Sequence, residues 1–213
     1  MSIASHVDAV PPQGSSPRGV GATLIYFFTR RRVAISNVLF VGLIVFDLVS
    51  GVRPRNVLDF RDPWILVGLS LVVVGLALRS WAVGILRKNH VLTTTGPYGL
   101  TRNPLYIGSF LMLFGFCALI GDTRNVWFML VPLVFLYWLR IRVEEQDLER
   151  LFGADWAAYA RTTPRVFPRH GARVWLADWR FAQWLKSREY RAPLTALVGL
   201  AAIQVWHFFP LHF

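Results

Sequence analysis

Charged side chains are scarce in this sequence, and acidic ones are the scarcer kind. Only 16% of the 213 residues are charged, with 12 Asp and Glu against 23 Lys and Arg. In their place stand 9 Trp, 16 Phe and a hydrophobic fraction of 54%. Several uncharged runs approach the roughly 20 helical residues that cross a bilayer core, which is unusual for a water-soluble domain. The sequence therefore predicts an all-α integral membrane protein.

Cysteine is almost absent. The single residue, Cys117, lies in an apolar run without a disulfide partner, and no cluster with metal-ligand spacing accompanies it. We therefore expect no metal. The net charge of +11 does not indicate nucleic acid, because the basic residues flank apolar runs instead of lining one soluble face.

An apolar centre of the kind found in secretory signals is missing from the first 21 residues, which are polar and rich in Pro, Gly and Ser. We predict a mobile cytoplasmic tail over residues 1–32 and a single membrane domain over residues 33–213. The domain is predicted to contain about five transmembrane helices, at residues 33–50, 63–86, 104–121, 125–143 and 193–209.

The placement of Lys and Arg predicts the orientation of these spans. With the N-terminus inside, the inner segments hold eighteen basic residues and the outer segments hold four. Cytoplasmic loops carry the excess of Lys and Arg in membrane proteins. The N-terminus, the loop 87–103 and the region 140–192 are therefore predicted to be cytoplasmic, in the inner membrane if the protein is bacterial.

Two charged residues, Asp47 and Arg79, fall inside predicted spans, where a charge is costly. Their depths differ, so we do not expect a direct pair between them. Arg79 either extends along the helix to the inner surface or points into a polar cavity, and the sequence leaves both possibilities open.

The short turn at residues 122–124 requires the third and fourth spans to be antiparallel neighbours. Their inner ends, residues 96–108 and 140–145, should then meet on the cytoplasmic side. Polar groups beside aromatic rings at the mouth of a helix pair are typical of a ligand site. Arg140 and Glu144, four residues apart, can form an ion pair on one helix face, although such pairs are commonly structural. A short amphipathic helix around residues 148–159 is predicted to cover this region.

The stretch of about residues 79–168 contains an ordered series of short motifs. It comprises Gly96-Pro97-Tyr98, Arg102-Asn103-Pro104-Leu105-Tyr106-Ile107-Gly108, a helical hairpin, Glu144-Glu145, Phe152-Gly153, Tyr159 and Pro164-Arg165. The series resembles the isoprenylcysteine carboxyl methyltransferase family, and more loosely the phospholipid N-methyltransferases. The resemblance implies S-adenosyl-L-methionine as cofactor and a catalytic region built from the loop 87–103 and the segment 140–170.

The resemblance also implies roles for single residues. The residues that it places around S-adenosylmethionine are His90, Val91, Leu92, Thr93, Tyr98, Arg102, Asn103, Pro104, Leu105, Tyr106 and Glu144. Arg140 matches an arginine that faces the methyl acceptor, and Arg165 is a further candidate for substrate binding. The implied acceptor is a prenylated or other lipid-like carboxylate, which is nucleophilic without a base. An aminolipid acceptor is the alternative, and it would need a general base, for which Glu145 is the candidate.

The chain departs from the family pattern where Asn103 replaces the usual histidine. Asparagine donates hydrogen bonds but carries no charge, which supports a rival hypothesis of a non-catalytic membrane scaffold. Retention of Tyr98, Arg102, Tyr106 and Glu144 argues against the scaffold. A second rival is a sterol-type reductase that uses NADPH and shares a similar loop. The acidic stretch 144–147 suits a cationic sulfonium better than the additional phosphate of NADPH.

Overall fold

The computed structural model describes residues 42–87, 91–167 and 179–209, with the backbone alone at 129–130. The helices of these ranges are α1 (Pro63–Ile85), α2 (Pro97–Leu100), α3 (Pro104–Ile120), α4 (Thr123–Thr162), α5 (Phe181–Lys186) and α6 (Arg191–Phe208). Residues 42–49 are also helical. The predicted tail and residues 33–41 of the predicted first span lie outside the described residues.

The start of α1 is determined by local sequence. Pro63 occupies the first turn, and the side chain of Asp62 accepts a hydrogen bond from the backbone N–H of Trp64 at 2.9 Å. The helix then runs for 23 residues. In the described part, α1 and α4 have the length and apolar composition needed to cross a membrane, and α3 is a shorter apolar helix. The all-helical prediction is confirmed, whereas the count of five spans stays a prediction.

The largest helix pair of the described part is α1 with α3. Glycines two turns apart face each other across this pair. A Cβ atom on Gly75 would lie 2.6 Å from the carbonyl oxygen of Gly108, and one on Gly115 would lie 2.6 Å from that of Gly68. Because no side chain separates the backbones, the two helices approach closely and gain van der Waals packing in apolar surroundings.

The turn between α3 and α4 confirms the predicted antiparallel hairpin. Gly121 ends α3 in the left-handed region with φ of 83°, and Asp122 caps α4 by accepting a hydrogen bond from the backbone N–H of Arg124 at 2.9 Å. The ring of Tyr137 on α4 packs against Tyr106 on α3, with centroids 4.9 Å apart. The pair therefore stays together as far as the predicted inner end.

One expectation changes at α4. This helix continues past Val143, where the predicted fourth span ends, and its regular backbone is interrupted only at Gly153, with φ of 49° and ψ of −115°. The stretch 144–152 is rich in strong helix formers and contains neither Gly nor Pro, so nothing stops the helix there. The predicted separate amphipathic helix is therefore a continuation of α4, bent at Gly153.

Asp47 and Arg79 each have other partners, as their different depths predicted. The side-chain amide of Asn125 at the start of α4 donates to the carboxylate of Asp47 at 2.6 Å, and both residues are fully buried. This bond fastens the helical segment 42–49 to the opposite end of the hairpin from the predicted catalytic region. The partners of Arg79 belong to the candidate site.

The C-terminal segment packs along α1. The indole N–H of Trp179 donates to the carbonyl oxygen of Ser80 at 3.0 Å, and the backbone N–H of Arg180 donates to that of Gly84 at 3.0 Å. Near the far end of α6, the Gln204 amide donates to the side chain of Asn56 at 2.9 Å. The helix α6 covers the stretch predicted as the fifth span.

Candidate active site

A cavity of about 690 Å³ lies between the end of α1, the start of α3 and the middle of α4, beside the loop that follows α1. Its volume lies within the range of small-molecule sites, about 300–1,000 Å³. Of the residues predicted to form the site, its walls contain Val91, Leu92, Thr93, Tyr98, Arg102, Asn103, Pro104, Leu105, Tyr106, Arg140, Glu144 and Glu145. His90 lies outside the described residues, and Arg165 does not line the cavity.

Tyr106 and Glu144 join the two helices at the mouth of the hairpin. The Tyr106 hydroxyl donates to a carboxylate oxygen of Glu144 at 2.6 Å. A charge-assisted bond of this length holds the carboxylate at a defined place in the cavity wall. Because a carboxylate accepts several hydrogen bonds, Glu144 retains capacity for an ammonium or hydroxyl group of a ligand.

Glu145 is bound by two arginines. Arg102 donates to it at 2.8 Å and Arg165 at 2.6 Å, and the Glu145 side chain is only 12% exposed. The hydrogen bond from Arg165 to Glu145 raises the pKa of the Arg165 guanidinium. Glu145 therefore joins the loop before α3 to the segment after α4, and two cations occupy the oxygens that a general base would use.

The same two segments are joined through Asn103. Its side-chain amide donates to the carbonyl oxygen of Arg165 at 3.0 Å, and the Thr101 hydroxyl donates to the same oxygen at 2.9 Å. The guanidinium of Arg102 donates to the carbonyl oxygen of Thr163 at 2.9 Å. Asn103, which departs from the family motif, thus makes a structural hydrogen bond for which a neutral amide is sufficient.

Tyr98 lines the cavity, and its buried hydroxyl has no hydrogen-bond partner among the described residues. Its backbone carbonyl accepts a hydrogen bond from the Tyr159 hydroxyl at 2.7 Å, which holds the short helix α2 against the end of α4. Burial raises the pKa of both phenols above their usual value of 10.0. Tyr98 is therefore a neutral group at physiological pH, able to donate one hydrogen bond and accept another.

Arg140 is held loosely. Its guanidinium lies 3.8 Å from a carboxylate oxygen of Glu144, beyond hydrogen-bonding distance, and its Nε has no partner among the described residues. The side chain is 23% exposed and lines the cavity. Among the described residues the Arg140 guanidinium has only this long ion pair, so its Nη groups retain donors for an acidic ligand.

Ser109, Trp156 and Glu189 were not identified from the sequence as residues at the site. Arg79 lines the cavity and forms an ion pair with Glu189, at 2.9 Å between Nε and Oε1, while Ser109 accepts from its Nη1 at 2.6 Å. The Arg102 guanidinium lies over the ring of Trp156, with Cζ of Arg102 5.8 Å from the ring centroid. Of the two possibilities left open for Arg79, the structure shows the polar cavity. The sequence marked the charge of Arg79 as costly, but it did not identify Glu189 as its partner.

Comparison with known proteins bears on the region that builds this cavity. The phospholipid methyltransferase family matches residues 63–155, which include α1, α2, α3 and most of α4. The chain is also 33% identical over 161 residues to the cobalt-zinc-cadmium resistance protein CzcN of Cupriavidus metallidurans, covering 73% of this chain and 72% of CzcN. The chain belongs to the phospholipid methyltransferase family.

Two further relatives match this methyltransferase-family chain over different lengths. The nickel-cobalt-cadmium resistance protein NccN of Alcaligenes xylosoxydans xylosoxydans is 31% identical over 153 residues, covering 67% of each chain. The protein-S-isoprenylcysteine O-methyltransferase of Schizosaccharomyces pombe is 31% identical over 81 residues, covering 38% of this chain and 34% of the enzyme. No solved structure matches the chain significantly. The isoprenylcysteine resemblance is thus real but distant.

The methyltransferase family suggests S-adenosylmethionine as cofactor, and the cavity residues fit such a ligand. Tyr98 supplies a buried hydroxyl without a partner among the described residues, and Glu144 supplies a carboxylate for a cationic group. The rings of Tyr106 and Trp156 line the same space, and aromatic faces attract cations such as a sulfonium.

Proposed function

We propose that this protein is an S-adenosylmethionine-dependent methyltransferase of the membrane, acting on a lipid-like acceptor at the cavity described above. The observation that carries the proposal is the convergence of Tyr98, Tyr106 and Glu144 on one cavity of about 690 Å³ inside the family-matched region. Bound cofactor supplies an electrophilic methyl group. The protein's part is to hold donor and acceptor in line, which accounts for much of the acceleration in such reactions.

A carboxylate is the acceptor that the cavity favours. It needs no deprotonation, and the Nη groups of Arg140 at the cavity retain donors to orient it. An amine acceptor needs a base, yet Glu145 is engaged by Arg102 and Arg165 at 2.8 and 2.6 Å. Both guanidiniums occupy the oxygens to which a proton would move. Carboxyl O-methylation is therefore our proposal, ahead of aminolipid N-methylation.

The exposed apolar faces of the helices support an acceptor that arrives from the bilayer. Large hydrophobic side chains point outward on α1, α4 and α6, among them Val73, Val74, Trp127, Phe135 and Leu197. Faces of this kind are expected to contact lipid chains. We further propose that the cavity end of the bundle is cytoplasmic, in keeping with the distribution of basic residues.

The names of two relatives suggest a physiological setting. CzcN and NccN are named as metal-resistance proteins. Within residues 42–87, 91–167 and 179–209, no group of three or more His, Cys, Asp or Glu side chains could hold a metal ion. We therefore propose that a contribution to metal tolerance runs through methylation of a membrane component. Growth of a deletion strain in cobalt, zinc and cadmium, complemented by wild type or by Glu144→Ala, tests this. Equal rescue by both would contradict it.

The cofactor is tested by titrating S-adenosylhomocysteine into the purified protein in detergent, followed by calorimetry, with NADPH titrated in parallel. Saturable binding of S-adenosylhomocysteine alone is the expected result. Binding of NADPH alone would favour the sterol-type reductase, and binding of neither would favour the non-catalytic scaffold. For Glu144→Ala, the matched control is Glu149→Ala. Glu149 is an exposed carboxylate on the same helix as Glu144, and it does not line the cavity.

A further inference from the structure

Arg79 is placed deep in the cavity wall. It lies six residues before the end of α1, which corresponds to about 9 Å along the helix axis at 1.5 Å per residue. A guanidinium at such a depth in an apolar bundle requires partners that compensate its charge. It has them in Glu189 and Ser109, and it still lines the cavity.

The partners of Arg79 leave part of its guanidinium unused. Glu189 accepts from Nε at 2.9 Å and from Nη2 at 3.1 Å, and Ser109 accepts from Nη1 at 2.6 Å. Arginine carries five N–H donors in a rigid plane. Three are therefore committed, and two have no partner among the described residues. The guanidinium is fixed in orientation by its committed donors while it retains donors for a ligand.

The helix crossing makes room for this side chain. A Cβ atom on Gly108 would lie 2.6 Å from Cγ of Arg79. The absence of a side chain at Gly108 lets the stem of Arg79 pass over the backbone of α3, where Ser109 receives its Nη1. The end of the Arg102–Gly108 motif thus shapes the position of Arg79.

Glu189 comes from the segment beyond the family-matched residues 63–155. It is buried, with its side chain 8% exposed, and lies just before α6. The bonds of Trp179 to Ser80 and of Arg180 to Gly84 fasten this segment to α1. The C-terminal segment therefore supplies a carboxylate that stands behind the cavity wall and orients a residue in it.

We propose that Arg79, oriented by Glu189, binds an oxyanionic headgroup of the acceptor, a carboxylate or a phosphate carried on an apolar chain. This inference rests on the proposed function and adds to it a second anchor besides Arg140. Two N–H groups of one guanidinium match the two oxygens of such a headgroup. Glu189 is a positioning residue, and the C-terminal segment thereby takes part in acceptor selection.

The test uses three amphiphiles that share a sixteen-carbon chain: palmitate, hexadecyl phosphate and hexadecylamine. Their binding to the full-length protein in phosphatidylcholine nanodiscs is measured by native mass spectrometry. We expect at least one of the two anions to bind about tenfold more tightly than the amine, as charge-assisted hydrogen bonds imply. The carboxylate and phosphate arms distinguish the two headgroups. No preference for either anion in the wild type would overturn the proposal.

The decisive variant is the double substitution Arg79→Gln with Glu189→Gln. It removes the pair together, so no buried charge is left uncompensated. We expect the preference for anions to fall by about threefold or more, with the remainder due to Arg140, while S-adenosylhomocysteine binding changes less than about twofold. Retention of the full wild-type preference would overturn the proposal.

The matched control is Arg55→Gln with Asp62→Asn. This removes an ion pair of 2.6 Å that does not line the cavity, and asparagine can still cap α1. The control should keep the preference of the wild type, and its loss there would overturn the assignment to Arg79. If the wild type did not bind S-adenosylhomocysteine, the proposed function would be contradicted. The headgroup preference would still test the role of Arg79 independently.

Discussion

The Tyr106 hydroxyl and the Glu144 carboxylate meet at 2.6 Å across the hairpin of α3 and α4. One residue belongs to the loop motif that opens α3, and the other lies in the second half of α4, 38 positions later. The contact holds the hairpin closed at its mouth and fixes a carboxylate in the cavity wall. A single hydrogen bond thus connects the architecture of the hairpin to the proposed binding of a cationic cofactor.

Replacement of Glu144 by alanine should weaken cofactor binding while leaving the protein folded. The lost hydrogen bonds to a charged ligand predict an increase of about tenfold or more in the Kd for S-adenosylhomocysteine, measured by calorimetry. Glu149→Ala is the control and should bind like the wild type. Unchanged affinity in Glu144→Ala would remove Glu144 from the site.

Replacement of Arg140 by alanine should separate acceptor binding from cofactor binding. Because its unused donors are proposed to orient the acceptor, we expect turnover to fall by about tenfold or more, with the Kd for S-adenosylhomocysteine unchanged. Methyl transfer from labelled S-adenosylmethionine to membrane lipids provides the measurement. Arg142→Ala, a neighbouring basic residue stacked on Trp138, is the control. Full activity of Arg140→Ala would leave Arg140 only its contribution to membrane orientation.

The features that the sequence predicted correctly are those encoded locally. Apolar runs, Pro63 and the Gly121-Asp122 turn identified α1, α3 and the antiparallel hairpin, and the hairpin in turn brought Tyr106 to Glu144. Helix continuation past Val143 was not predicted, because the sequence turns polar there. Polarity marks where a helix leaves an apolar environment, whereas Gly153 marks where its backbone bends.

The partners of the charged residues could not be predicted in this way. Glu189 follows Arg79 by 110 positions, and Glu145 precedes Arg165 by 20. Many carboxylates and guanidiniums satisfy the same chemistry, so the choice depends on how the C-terminal segment packs against α1. The sequence marked Arg79 as a costly charge inside a span, and only the three-dimensional arrangement identified the carboxylate that pairs with it.

The two buried phenols predict a loss of stability in alkali. Burial raises the pKa of Tyr98 and Tyr159 above 10.0, so both stay protonated in the folded protein while an unfolded chain ionises them. Their contribution is constant below pH 10 and falls as the pH rises further, since ionisation then favours the unfolded state. Tyrosinate absorbance and thermal unfolding, recorded together from pH 8 upward, measure this.

The matched variants for this titration are Tyr98→Phe and Tyr190→Phe. Tyr190 is exposed, so Tyr190→Phe should lose stability in alkali as the wild type does. Tyr98→Phe removes one buried phenol and should lose less stability than the wild type above pH 10. An equal alkaline loss in Tyr98→Phe and the wild type would contradict the assignment of the loss to Tyr98.

Gly75→Ala tests whether the close crossing of α1 and α3 supports the site. The added Cβ would lie 2.6 Å from the carbonyl oxygen of Gly108, so the helices must separate, at a cost of about 1–3 kcal/mol. Gly42→Ala is the control, because none of the residues that the structure describes lies within 4 Å of a Cβ at that helical position. We expect a lower midpoint of thermal unfolding in detergent for Gly75→Ala alone. Because Arg79 crosses α3 at Gly108, the same variant should also reduce the preference for anionic amphiphiles. Equal unfolding midpoints for both variants would show that the crossing tolerates a methyl group and that the approach of the backbones is not required.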